Sequence, residues 1–121
     1  MPTRERVQAF VAMVEAGDYV EAIRQFYTDD ATMQENLGTM RSGLAALAAA
    51  EETVLKSVRI TTRPGTAFAV DGDRVAVNRV FDIVLADGRK YALDEVAWQH
   101  WRGDRIAQER FYYDPAQRKP E

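Results

Sequence analysis

The sequence predicts an α+β domain in which three N-terminal helices cover the concave face of a cone-shaped, curved antiparallel sheet. Two observations carry that prediction. Apolar residues recur at helical spacing up to about residue 57, and at period two beyond it. Turn chemistry then divides the second half into four strands with no helical stretch between them, which makes them antiparallel neighbours. Helices that precede such a meander must bury their apolar stripes on one face of it. A chain of 121 residues that is 46% hydrophobic can bury one core without covalent staples, so residues 1–121 are expected to form a single domain.

Thr3 is placed to cap a first helix whose apolar positions are Val7, Phe10, Val11 and Val14, and Gly17 ends it. Asp18-Tyr19-Val20-Glu21 reads as a variant of the capping box. It opens a second helix with Val20, Ile23, Phe26 and Tyr27 on its buried stripe, and Asp29-Asp30 is expected to stop it. On the short strand that follows, Ala31, Met33 and Glu35 share one face while Thr32, Gln34 and Asn36 share the other. A loop through Gly38 and Gly43 leads to a third helix, carrying Leu44, Leu47, Ala48, Val54 and Leu55 and ending near Ser57.

The first long strand spans Val58 to Val70 and must bulge or bend at Pro64-Gly65, because proline lacks a ladder donor. Asp71-Gly72-Asp73 turns the chain into a strand from Arg74 to Ala86. Asp87-Gly88 makes the next hairpin, Lys90 to Arg102 follows, and Gly103-Asp104 leads into Arg105 to Tyr113. Asp114-Pro115 closes the domain, and the polar tail beyond is expected to fray.

Composition removes several function classes. Cysteine is absent, so no disulfide forms, which fits a reducing compartment. The net charge of -3 comes from interspersed acids and bases, leaving no basic stripe for nucleic acid. The longest uncharged small-apolar run, Leu44 to Ala50, is far short of a membrane span, and the N-terminus lacks a basic-then-apolar signal pattern. A cytoplasmic protein without membrane contact is expected. His100 is the only histidine and cysteine is absent, so no metal site is expected; no cofactor is expected either. A Gly-x-Ser-x-Gly elbow and phosphate-cradling glycine loops are also missing.

Glu35 is the residue that stands out, since an acid on an apolar face needs a partner, a solvent opening or a ligand. The order helix, helix, Asp-Asp-Ala-Thr strand, helix, then four strands ending Ile106-Ala107-Gln108-Glu109-Arg110-Phe111-Tyr112-Tyr113-Asp114 resembles the nuclear transport factor 2-like superfamily, in its SnoaL-like polyketide cyclase branch. Phe26 to Gly38, the Gly-Asp-Arg-Ile turn at 103–106 and the Tyr-Tyr-Asp ending carry the resemblance, which covers almost the whole chain. It implies one cone-shaped scaffold that supports ketosteroid isomerase, limonene epoxide hydrolase, scytalone dehydratase and cyclases, alongside proteins of no known activity. Glu35 falls where the isomerases place their catalytic Asp base. Their oxyanion Tyr falls at Phe10 and their protonated Asp at Ala97, and losing one such donor typically costs about 100-fold or more. The Arg, Asp and later Asp of the epoxide hydrolase fall at Asn78, Val80 and Phe111. Neither mechanism carries over.

The resemblance also implies which residues look into the cone: Asn78, Val80 and Asp82, then Leu93, Glu95 and Ala97, then Glu109, Phe111 and Tyr113. With Phe10 and Met33 these make the expected ligand pocket. Glu35 with Glu95 or Asp82 would transfer protons in it without a cofactor. Crowding of Glu35, Asp82, Glu95 and Glu109 should raise at least one carboxyl pKa, unless Glu95 and Glu109 pair with Arg59, Arg63 or another neighbour, or reach solvent. Facing away, Phe81, Ile83, Val96, Trp98, His100 and Tyr112 are expected to join two copies into a homodimer. The functional expectation is a pocket for a small hydrophobic molecule, in a cofactor-independent isomerase, cyclase or dehydratase, or else in a binding or accessory domain.

Overall fold

The computed structural model describes residues 1–120. Helix α1 (Arg4–Glu15) begins where the Arg6 amide donates to Thr3 Oγ1 at 3.0 Å, and it buries Val7, Phe10, Val11 and Val14. Helix α2 (Tyr19–Phe26) buries Tyr19, Ala22, Ile23 and Phe26. Asp18 makes no side-chain cap, contrary to the capping-box reading, because its φ of -87° and ψ of 59° lie outside the extended geometry that a cap needs. The chain passes straight into strand β1 (Tyr27–Glu35), so Asp29 and Asp30 lie within a strand rather than at a helix end.

After a two-residue strand, β2 (Arg41–Ser42), helix α3 (Leu44–Ser57) packs Leu47 and Ala48 into the core. The meander then runs β3 (Arg59–Thr62), β4 (Ala67–Asp71), β5 (Arg74–Val84), β6 (Lys90–Arg102) and β7 (Arg105–Tyr112). Pro64-Gly65 splits the expected first strand into β3 and β4, and both pair with β5. The order β2-β1-β7-β6-β5-β3 leaves the sheet open, and β1 lies parallel to β7, so the sheet is mixed. Nothing forces that junction to be antiparallel, since β1 arrives from the helical layer and not from a hairpin. The three helices cover the sheet's concave face, and Phe10, Phe26, Tyr27, Leu47, Val75, Val77, Ala97, Trp101 and Ile106 fill the space between.

One hairpin reverses part of the expected cone lining. Read as a two-residue loop, Asp87-Gly88 would set Ala86 opposite Arg89 and turn the even-numbered residues of β5 inward. The loop instead has three residues. The Leu85 amide donates to the Arg89 carbonyl at 2.8 Å, the Gly88 amide donates to the Leu85 carbonyl at 2.9 Å, and Gly88 takes the left-handed φ of 89° that closes such loops. The register becomes Val77 to Ala97, Arg79 to Glu95 and Phe81 to Leu93. Directly opposed residues share a face, and a one-residue slip exchanges the faces. Val75, Val77, Arg79, Phe81 and Ile83 therefore look into the cone, whereas Asn78, Val80 and Asp82 look out. Phe81 and Ile83 accordingly leave the expected dimer face.

The tail is docked. Asp114 caps the Ala116 amide at 2.9 Å, and the Gln117 side chain forms two hydrogen bonds with the Asp94 backbone, at 2.9 and 3.0 Å. Among the described residues, no helix is long and apolar enough to cross a membrane.

Candidate active site

Residues of β1, β5, β6 and β7 converge on a polar floor inside the cone. Trp101 Nε1 donates to Gln99 Oε1 at 2.9 Å, and Gln99 Nε2 donates to Glu109 Oε2 at 2.6 Å. The Tyr27 hydroxyl donates to the other carboxylate oxygen of Glu109. Arg79 links this group to Glu95: its Nε lies 3.3 Å from Glu95 Oε2 and its Nη2 lies 3.8 Å from Glu109 Oε2. All of these side chains are buried. The pairing forecast for Glu95 and Glu109 thus exists, with Arg79 as the cation.

One guanidinium faces two carboxylates in a buried setting. Burial pushes the Glu95 carboxyl up, and Glu109 adds to the shift while Arg79 opposes it. Burial and then the charge of Glu109 hold the Tyr27 phenol well above its ordinary range. Burial disfavours the charge on Arg79 too, but Glu95 and Glu109 more than offset that, and its pKa is raised.

Partly buried aromatics lie beside this floor. The Arg79 guanidinium lies 5.3 Å from the Phe81 ring centroid and 5.5 Å from that of Phe111. Met33 and Leu55 also pack against the core. Glu35 ends β1 at the rim and is exposed, so the burial expected of it is absent. Tyr113 donates its hydroxyl hydrogen to Glu35 Oε1 at 3.1 Å, and Arg118 Nη1 donates to the Tyr113 hydroxyl at 3.4 Å. Burial, and secondarily Glu35, raise the Tyr113 phenol.

Of the expected pocket residues, Leu93, Glu95, Ala97, Glu109 and Phe111 are on the inner face. Phe10 is inside as well, but as core: its ring packs edge-on against Phe26, Tyr27 and Trp101. Asn78, Val80 and Asp82 are not in the cone. Asn78 binds Asp94 Oδ1 at 2.8 Å and the Glu95 carbonyl at 2.9 Å on the outside. The Asp82 side chain is 46% exposed and is held by both arms of Arg63 at 2.8 and 2.9 Å, a contact that lowers its carboxyl pKa. Sequence reasoning missed Arg79, Gln99 and Trp101. The signal for Arg79 was present, since it is the one charge in the apolar alternation Val75, Val77, Arg79, Phe81, Ile83.

On the outer face Val96, Trp98 and Tyr112 are 38%, 45% and 44% exposed. They adjoin a groove of about 320 Å³ lined by Trp98, His100, Tyr112, Met40 and Arg74 among others. His100 Nε2 lies 3.2 Å from Asp73 Oδ2. Among the described residues, no three His, Asp or Glu side chains are grouped to hold a metal ion.

Comparison with known proteins agrees with this fold. A SnoaL-like protein of Mesorhizobium loti, assigned as a polyketide cyclase, superposes with a TM-score of 0.79 at 25% identity, over 93% of this chain and 100% of its own. A protein of Pseudomonas putida, also assigned as a polyketide cyclase, superposes at 0.81 with 23% identity, over 97% and 95% of the two chains. An epoxide hydrolase of Mycobacterium tuberculosis resembling limonene epoxide hydrolase superposes at 0.76 with 16% identity, over 93% and 83%. No curated protein matches the sequence. The model of the SnoaL-like domain matches residues 7–109, which is most of the chain, and the protein belongs to that family.

Proposed function

We propose that the cone binds a small, mainly apolar molecule and moves a proton on it without a cofactor, with Glu35 at the rim as base and Glu95 as its proton-transfer partner. The charged floor of an otherwise apolar cone carries this reading. Burying Arg79 with Glu95 and Glu109 costs several kcal/mol per ion before pairing offsets it, and apolar side chains of similar volume would hold the fold as well. Charges retained at such a cost, with perturbed titration and half-buried aromatics beside them, are characteristic of sites that meet a ligand. The upward push on Glu95 favours the protonated form that a general acid needs. Asp82 has no part in the mechanism.

A second reading, a binding or accessory domain without catalysis, is favoured by Phe10 and Ala97. Both are fully enclosed apolar side chains at the positions where the isomerases carry oxyanion donors. Deuterium exchange of enolisable ketones, cyclohexanone and tetralone, followed by NMR in heavy water separates the two. Accelerated exchange that falls about 100-fold or more in Glu35→Gln and in Glu95→Gln supports catalysis. Ketone binding without exchange in any of the three proteins supports the second reading.

We also propose that the protein is a homodimer joined through the outer sheet face around Val96, Trp98, His100 and Tyr112. Three large apolar side chains exposed side by side form a patch of the kind that soluble monomers seldom leave open.

A further inference from the structure

Helix α3 presents Leu44, Leu47, Ala48, Glu51 and Leu55 at core-facing spacing. Leu47 and Ala48 are buried, and Leu44 and Leu55 pack against the core. Glu51, between Ala48 and Leu55, is largely withdrawn from solvent. A long acid on that stripe ordinarily finds a cation or a donor. Glu51 has neither among the described residues, and no hydrogen bond acts on its carboxyl. Its neighbour Glu52 shows the ordinary alternative, being exposed and paired with Arg24 at 2.8 Å.

The charged and titratable groups that act on Glu51 come from the cone. Arg79 of β5 attracts it, Glu109 of β7 and Glu35 of β1 repel it, and it in turn raises Tyr19 of α2 and Tyr27 of β1. The helix therefore offers a half-buried carboxyl, bound by no other side chain and still reached by water, on the helical wall that covers the charged floor.

We propose that Glu51 is a specificity-determining residue of the cone, donating a hydrogen bond from α3 to an acceptor oxygen, a carbonyl or ether, on the bound molecule. The inference rests on the small-molecule reading above and deepens it by naming the ligand's polar group. Burial pushes the Glu51 carboxyl up, so it keeps the proton that it would donate over more of the pH range than an exposed glutamate does. Among the described residues no side chain competes for that proton, so a ligand oxygen displaces only water from it. An apolar ligand would leave the carboxyl buried and unpaired.

The test compares tetralone, a bicyclic ketone, with tetralin, the same skeleton without the oxygen. Wild type should bind tetralone about five- to tenfold more tightly than tetralin, which is the worth of one hydrogen bond. Glu51→Leu should erase that preference while keeping affinity for tetralin. Glu51→Gln, whose amide still donates, should retain most of it. The carboxyl carbon resonance of Glu51, identified by its loss in Glu51→Gln, should move on adding tetralone while that of Glu52 stays still. A preference for tetralone that survives in Glu51→Leu overturns the assignment, as does an unmoved Glu51 resonance up to the ketone's solubility limit. Failure of the exchange experiment with Glu35 and Glu95 variants would remove the catalytic reading and leave the tetralone preference standing.

Discussion

Arg79 holds the site together at the scale of single residues. It is the one cation between two buried carboxylates, and its removal leaves both unpaired in a low-dielectric interior. Arg79→Met should cost about 3–5 kcal/mol at neutral pH, measured by urea unfolding. The loss should shrink at pH 4, where the upward-shifted Glu95 takes up a proton, and adding Glu95→Gln and Glu109→Gln to the same chain should recover much of it. An equal loss at both pH values would mean that the methionine merely packs badly. Glu95 gives a second signed expectation. Its folded pKa lies above the unfolded value of about 4.3. The native state therefore binds more protons, and the group's contribution is fully present below the unfolded pKa and lost as pH rises through the folded one. Relative to wild type, Glu95→Gln should thus be more favourable to melting temperature at pH 8 than at pH 4. The reverse order would mean that Arg79 dominates and keeps the carboxylate ionised.

At the scale of elements, the β5–β6 hairpin decides which chemistry enters the cone. Gly88 stands at φ 89° with open space where a Cβ would go, so Gly88→Ala meets no clash and tests backbone strain alone. The left-handed conformation should cost about 1–2 kcal/mol in alanine, and less in Gly88→Asn, as read from denaturation midpoints at constant slope. The three helices, the Pro64-Gly65 break and the alternation of β6 and β7 were legible in the sequence because period and turn residues mark them directly, whereas the end of α2 was not, since Tyr27 continues the apolar stripe but begins β1. The β5 face was not, because loop length sets register and Asp87-Gly88 serves two- and three-residue loops alike. The alternation itself held the answer: Val75, Val77, Phe81 and Ile83 are more apolar than Ala76, Asn78, Val80 and Asp82, so Arg79 could have been placed inside from burial alone. Glu35 shows the opposite limit. Strand parity put it on the inner face, but parity carries no information on how near the rim a strand ends.

The whole molecule has a helix-covered face and a bare one, and the bare one bears on assembly. On β6 and β7 the outward residues Val96, Trp98 and Tyr112 stand in neighbouring ladder positions, with Val96 directly opposite Tyr112. Polar and charged Arg74, His100, Gln108 and Arg110 lie around the adjoining groove, the pattern of an apolar centre within a wettable rim. Two copies related by a two-fold axis would bury about 800 Å² each if the contact is of standard size, with the Trp98 side chains near its middle. Light scattering at micromolar concentration should therefore report a dimer. Trp98→Glu should convert it to a monomer, because the substitution places charge at the desolvated centre. Ketone binding in the cone should survive that change, since Trp98 points away from Ala97 and Gln99, which lie inside. Tryptophan fluorescence checks the same expectation from within, because Trp101 is buried in each protomer whatever the assembly. In a dimer both tryptophans resist a soluble quencher, and in the Trp98→Glu monomer the remaining one still does. A wild type that scatters as a monomer, with half its fluorescence open to quencher, would leave the outer face without a partner of its own kind.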